Sequence, residues 1–220
     1  MKIIGLTDIH GNGSGILKLA DELKSVDAVV LSGDITHFGR ALETSEIING
    51  IRFFNSQVFA VPGNCDYPEA GEYLTGEGFN LHGESRFFQD ITFMGLGGSL
   101  PCPGKTPNEY YEHELDSFLK HAVQQSGTDS SLILVSHQPP FNTLNDRIGL
   151  QQHVGSEAVR RFIEQYQPLL CFCGHIHEGV GIDEIGRTKT INPGPVAQGL
   201  YAYAEISGKE VTRLEIRSMR

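Results

Sequence analysis

Ala28-Val29-Val30-Leu31-Ser32-Gly33-Asp34 decides how the chain is read. Its first four residues are apolar and valine-rich, which reads as a buried strand, and the glycine marks a sharp exit into a loop over 33–39. A carboxylate at that exit stands at the C-terminal edge of a sheet, where open α/β folds place their ligands. The pattern recurs along the chain. Asp8 and His10 follow Ile3-Ile4-Gly5-Leu6, and Asn64 follows Val58-Phe59-Ala60-Val61-Pro62-Gly63. His137 follows Leu132-Ile133-Leu134-Val135-Ser136, and His175 and His177 follow Leu169-Leu170-Cys171-Phe172-Cys173-Gly174. Five strand ends delivering Asp, His and Asn to one edge predict a metal site.

Outward from that run, strands are expected at 2–7, 27–32 and 57–61, with helical spacing at Ile16, Leu17, Leu19, Ala20 and Leu23 and again over 41–51. The first 66 residues thus read β-α-β-α-β, the pattern of a parallel sheet covered by helices. Short strand-like pieces over 79–97, with a turn at Gln89-Asp90, predict antiparallel or mixed pairing, and 97–107 reads as an irregular loop. Helical periodicity returns at Tyr111, Leu115, Phe118, Leu119 and Val123, and Ser156 is placed to cap a helix carrying Val159, Phe162 and Ile163. The tail holds strand candidates at 179–185, 188–192, 200–206 and 210–216, with hairpin turns at Gly186-Arg187 and Gly208-Lys209. No repeat or linker breaks the chain, so a single domain over 1–220, built on two sheets, is expected.

Composition sets the outer bounds. At 220 residues the chain can bury one large core. It has 17 Lys and Arg against 27 Asp and Glu, a net charge of −10, which argues against a broad nucleic-acid or membrane surface. No run is long enough to span a bilayer and no leader precedes the first strand, so a cytoplasmic protein is expected. The four cysteines (Cys65, Cys102, Cys171, Cys173) have neither zinc-finger nor disulfide-framework spacing and read as free thiols.

Four short motifs stand in order, each after an expected strand: Asp8-Ile9-His10, Gly33-Asp34, Gly63-Asn64-Cys65-Asp66, and Gly174-His175-Ile176-His177, with His137 before the last. In this the chain resembles the calcineurin-like metallophosphoesterase superfamily over nearly its whole length. The resemblance implies a four-layer αββα sandwich of two mixed β-sheets with a dinuclear metal site at the sheet edge. It also implies that Asp8, His10, Asp34 and His177 hold one ion while Asp34, Asn64, His137 and His175 hold the other, Asp34 bridging. Mixed imidazole and oxygen donors suit manganese, iron, zinc, cobalt or nickel, with manganese favoured here. Two divalent ions would attract a phosphate ester and generate a bridging hydroxide as nucleophile. Asp66 and Glu178 are expected to orient ligand histidines.

Two departures narrow the chemistry. The family's third motif usually carries His where this chain has Cys65, a poor proton donor beside cations. The protein-phosphatase branch reads Gly-Asp-x-x-Asp-Arg-Gly in the second motif, and here His37 and Phe38 take the Asp and Arg positions. Cys65 resembles instead a subgroup with Gly-Asn-Cys-Asp associated with phosphodiester hydrolysis. A phosphodiesterase acting on a small-molecule phosphate ester is therefore expected, with His37, Cys65 and Asp66 as catalytic candidates and His37 as hydrogen-bond donor or weak acid. Asn64, Arg147 and His153, the last two on the long connection 139–154, are candidates to touch substrate. The alternatives are a phosphomonoesterase and a non-catalytic scaffold of the same fold that binds partner proteins. A homo-oligomer remains open.

Overall fold

Every second side chain of the early strands faces a different layer, and that alternation builds the molecule. In the computed structural model, which describes residues 1–126, 131–150 and 152–219, Ile3, Ala28, Val30, Phe59 and Val61 face one way. Ile4, Leu6, Val29, Leu31, Val58 and Ala60 face the other. Both sets are buried, so these strands need apolar cover on two sides, which explains their continuous apolar runs.

The strands are β1 (Lys2–Leu6), β2 (Ala28–Ser32), β3 (Val58–Val61), β4 (Ser85–Phe88), β5 (Ile91–Leu96), β6 (Ser131–Ser136), β7 (Arg147–Ile148), β8 (Gln152–His153), β9 (Leu170–Phe172), β10 (Gly181–Ile185), β11 (Thr188–Asn192), β12 (Leu200–Ser207) and β13 (Glu210–Ser218). The helices are α1 (Gly13–Leu17), α2 (Ala20–Lys24), α3 (Ala41–Arg52), α4 (Pro68–Gly76), α5 (Glu112–Gln125) and α6 (Glu157–Tyr166). One sheet has the order β13-β12-β1-β2-β3 and the other β10-β11-β9-β6-β5-β4, while β7 and β8 form a separate hairpin. In the first sheet β1, β2 and β3 are parallel, and β12 and β13 add antiparallel strands. In the second, β5, β6, β9 and β11 are parallel, with antiparallel β4 and β10 on the two edges.

Three apolar layers follow. The middle one lies between the sheets, where Phe59 stacks on Phe93 at 4.2 Å beside Ile133, Phe172, Ile191 and Ala202. The first sheet's outer face meets Ile16, Leu19, Leu23, Ile47, Ile48 and Ile51 of the helical segments around α1–α3. The second sheet's outer face meets Leu115 and Leu119 of α5 with Val159, Phe162 and Ile163 of α6. This is the expected αββα sandwich. Among the described residues no helix is long and apolar enough to cross a membrane.

The differences from expectation are local. The helical segment after Ser14 splits into α1 and α2, and α4 was not expected at all. Of 79–97, the piece at 79–81 makes only an isolated bridge, Ala60 to Asn80, and β4 and β5 carry the pairing. The turn at Gln89-Asp90 is present, with φ of 46° and 67°. Ser156 caps α6, its side chain accepting from Val159 N. All four cysteines are free, with Cys171 and Cys173 buried.

The inter-sheet layer makes a direct test. Phe93→Ala removes a fully buried ring from the middle of the sandwich and should cost about 3–5 kcal/mol of unfolding free energy. Urea unfolding measures it, and an unchanged midpoint would mean that the sheets do not pack through this face.

Candidate functional site

The ends of β1, β2, β3, β6 and β9 meet at one edge of the sandwich, each leaving its strand in a sharp turn. Asp8, His10, Asp34 and His175 all have left-handed φ, between 47° and 65°. Non-glycine residues pay about 1–2 kcal/mol for that conformation. They account for four of the ten such positions among the described residues. Strain gathered at one edge marks a site held in a set geometry. Gly33 and Gly63 make the approach possible. A Cβ on Gly33 would overlap His137 Nδ1, and one on Gly63 would overlap the backbone nitrogen and Oδ1 of Asp34.

Asp8 and Asp34 are buried, 1% and 2% exposed. Thr7 donates its hydroxyl to Asp8 Oδ2 at 2.9 Å and His175 donates its backbone N–H to the same oxygen at 3.2 Å, which leaves Oδ1 pointing into the site. Burial alone would raise the Asp8 pKa, but His177 and His137 outweigh it and hold the carboxyl below its ordinary value. Cys65 N donates to Asp34 Oδ1 at 2.8 Å. His10 Nε2 lies 3.7 Å from Asp34 Oδ2, and His177 Nε2 lies 3.3 Å from Asp8 Oδ1. Burial pushes the His175 pKa down to about 4, so its ring stays neutral with a lone pair to offer.

His137 shows what the arrangement lacks. Its Nδ1 donates to the Ser32 carbonyl at 2.7 Å, which puts the lone pair of the neutral ring on Nε2. That nitrogen faces Asn64 Oδ1 at 2.9 Å and Asp34 Oδ1 at 3.4 Å, and both are acceptors. Four buried side-chain atoms among the described residues have no hydrogen-bond partner, and two of them, Asp8 Oδ1 and His10 Nδ1, are here. Donor atoms of Asp8, His10 and His177 lie within 4.8 Å of one another, as do those of Asp8, Asp34 and His137, and of His10, Asp34 and Cys65. Converging acceptors without protons between them fit divalent cations, and imidazole with carboxylate fits the borderline metals.

The seven expected ligands are therefore brought together. The other candidates are spread around them. His37 is exposed at the rim, its ring 5.5 Å from that of His10 and 5.0 Å from that of Phe38. Cys65 is half-buried, and burial followed by the Asp34 charge pushes its thiol pKa well up. Arg147 and His153 pair across the β7–β8 hairpin, and neither makes a hydrogen bond, ion pair or ring contact with the seven among the described residues.

Asp66 corrects an expectation. It does not orient a histidine. Its carboxylate is fully buried and accepts from Ile35 N (3.1 Å), Thr36 N (2.8 Å), Thr36 Oγ1 (2.6 Å) and Gly63 N (2.7 Å), binding the loop after β2 to the loop after β3. Burial, then the Asp34 charge, pushes its pKa up to about 6 while these donors pull the other way. Glu178 likewise turns away from the histidines, accepting from Gly149 N at 2.7 Å. Sequence reading missed three residues. Thr7 fixes Asp8, and Cys102 Sγ lies 3.7 Å from His175 Nε2. Buried Asp146 accepts from Asn142 N, Thr143 N, Gly155 N and His153 Nδ1, organising the connection over 139–154. The only available signal was chemical: an Asp in a loop of small and polar residues.

Comparison with known proteins agrees with this picture. The family model described as calcineurin-like phosphoesterase matches residues 1–179. An uncharacterized protein of Methanocaldococcus jannaschii is 39% identical over 206 residues, covering 91% of each chain. A protein of Rhodopseudomonas palustris named as a probable cyclic nucleotide phosphodiesterase is 22% identical over 184 residues, 81% of this chain and 67% of that one. A crystal structure of a Thermus thermophilus protein shares the fold, with a TM-score of 0.77 at 20% identity, covering 100% of this chain and 99% of that chain.

The Asp66 clamp can be tested apart from any metal. Asp66→Ala leaves the backbone N–H groups of Ile35, Thr36 and Gly63 without this acceptor, which should cost the metal-free protein about 1–3 kcal/mol for each group left unpaired. Urea unfolding in the presence of a chelator measures it, and a loss under that range would show the clamp to be dispensable.

Proposed function

The chain belongs to the calcineurin-like phosphoesterase family, and on that premise we propose that residues 1–220 form one catalytic domain hydrolysing a small phosphodiester. Asp8, His10, Asp34 and His177 hold one divalent ion, and Asp34, Asn64, His137 and His175 hold a second, manganese being favoured. When bound, such ions neutralise phosphate charge and make an attacking water more acidic.

The chain's own groups do the rest. Thr7, Ser32 and the Cys65 backbone fix the rotamers of Asp8, His137 and Asp34, so that the facing atoms need no rearrangement as substrate arrives. Asp66 acts one step back, as a positioning residue for the loops that carry Asp34 and Asn64. His37, at the rim beside His10, donates a hydrogen bond to a phosphate oxygen and a proton to the departing alkoxide.

The observation that carries the diester reading is the set of partners that the seven residues have. Among the described residues no Lys or Arg pairs with any of the seven ligands. A monoester dianion would gain from an added cation and a strong acid. A diester carries one charge, and one whose leaving group is already a modest acid needs less help with protonation. The similarity to a protein named as a probable cyclic nucleotide phosphodiesterase supports the same reading.

Manganese-loaded protein should show a higher kcat/KM on bis-p-nitrophenyl phosphate than on p-nitrophenyl phosphate, and the reverse order would overturn the diester reading. On a diester with a poorly acidic alkoxide leaving group His37→Ala should lose roughly 10²–10⁴-fold in turnover while Cys65→Ser loses little. Normal turnover in His37→Ala would remove the imidazole from the reaction. Asp34→Asn should weaken both metal sites together, since one carboxylate serves both. Elemental analysis finding two tightly held metals in that variant would disprove the shared ligand.

A further inference from the structure

Of the ten non-glycine residues with positive φ among the described residues, Phe38 is the only apolar one, at 56°. A turn that needs this conformation ordinarily takes Gly or Asn. Phe38 carries a second cost, because its side chain stays 46% exposed and joins none of the three apolar layers. Neither cost relaxes, since the turn is held from both sides. Thr36 donates its backbone N–H and its hydroxyl to Asp66, Gly39 N donates to Thr36 Oγ1 at 3.0 Å, and Tyr67 N donates to Gly39 O at 3.1 Å. A Cβ on Gly39 would fall 2.8 Å from Thr36 Cβ and 2.9 Å from Glu43 Cβ, so the glycine is required there too.

The location gives the strain a purpose. The ring of His37 lies 5.5 Å from that of His10 and 5.0 Å from that of Phe38, near-perpendicular to both, with His37 and Phe38 exposed. Phe38 therefore stands two ring contacts from a metal-ligand candidate, within the reach of a ring joined to a phosphate through a sugar. Its backbone is clamped, so it offers a flat apolar face at little further entropic cost.

We propose that Phe38 is a specificity-determining residue that stacks on a planar ring of the substrate, so that the preferred diester carries a nucleobase. This rests on the phosphodiesterase reading above. Strained and exposed residues persist where the surrounding structure holds them for a function, and an aromatic face accepts any base.

The test uses adenosine 5′-monophosphate and ribose 5-phosphate as probes, titrated calorimetrically into manganese-loaded protein. The wild type should bind the nucleotide about tenfold more tightly, and Phe38→Ala should bring it to within about twofold of ribose 5-phosphate while leaving the latter unchanged. Phe38→Trp should keep the preference. Equal binding of the two probes by the wild type, or a preference that survives Phe38→Ala, would overturn the proposal. Phe38→Gly, which suits the left-handed turn, should unfold at the same temperature as wild type or higher. A clear fall would show that the ring is needed for packing and would also count against it. If bis-p-nitrophenyl phosphate is not hydrolysed but the nucleotide preference still depends on Phe38, the stacking site stands and the diesterase reading falls.

Discussion

Because His137 gives its Nδ1 proton to the Ser32 carbonyl, its remaining lone pair faces the oxygens of Asn64 and Asp34, and the rest of the structure is arranged around that unmatched set of acceptors. Asp8, Asp34 and Asp66 are three buried carboxylates in one neighbourhood, the first two facing histidines, and none of the three has a Lys or Arg partner among the described residues. Carboxylates out of water are costly unless paired or coordinated to metal. Asp66 meets that demand with four hydrogen bonds from one pair of loops, whereas Asp8 Oδ1 has no hydrogen-bond partner among the described residues. The difference separates a structural carboxylate from one whose partner is not part of the chain.

Two sheets are needed to make this set. A single parallel sheet would deliver its strand ends along one line. Packing β1–β3 against β5, β6 and β9 places two rows of ends face to face, so Ser32 on one sheet can fix His137 on the other. Gly174, after β9, closes the same seam, and a Cβ there would run into Thr7. The middle apolar layer therefore also sets the distance between metal-ligand candidates. The antiparallel strands β4, β10, β12 and β13 lie outside the parallel strands of each sheet and contribute none of the seven ligand candidates.

Much of this was legible in the sequence because the informative residues are few and sit at strand ends. A run such as Val58-Phe59-Ala60-Val61 ending at Pro62-Gly63-Asn64 states both the strand and the ligand. What stayed illegible depends on partners that carry no side-chain signature. Asp66 binds backbone N–H groups, which every residue but proline has, so its true role resembled that of a histidine partner until the loops were seen. Helix α4 shows only Ala70 and Leu74 on its buried face and has glycines at 71 and 76, too little period to read. Arg147 and His153 lie on the connection that leaves His137, as expected, but Asp146 draws His153 into that loop's own framework.

Among the described residues no Lys or Arg pairs with the seven candidates, and this has a thermodynamic consequence. In a chain of net charge −10, an anionic substrate gains nothing from the overall field. On the proposed reading its charge is met chiefly by the ions that the seven ligands hold. Affinity for substrate and affinity for metal are then linked, each raised by the presence of the other by the same factor. On the same reading the apolar and hydrogen-bonding groups of the rim, Phe38 and His37, lie outside that linkage, since they would recognise the parts of a ligand that carry no charge or only share a proton. On that reading metal sets how strongly a phosphate is held, and the rim sets which phosphate it is.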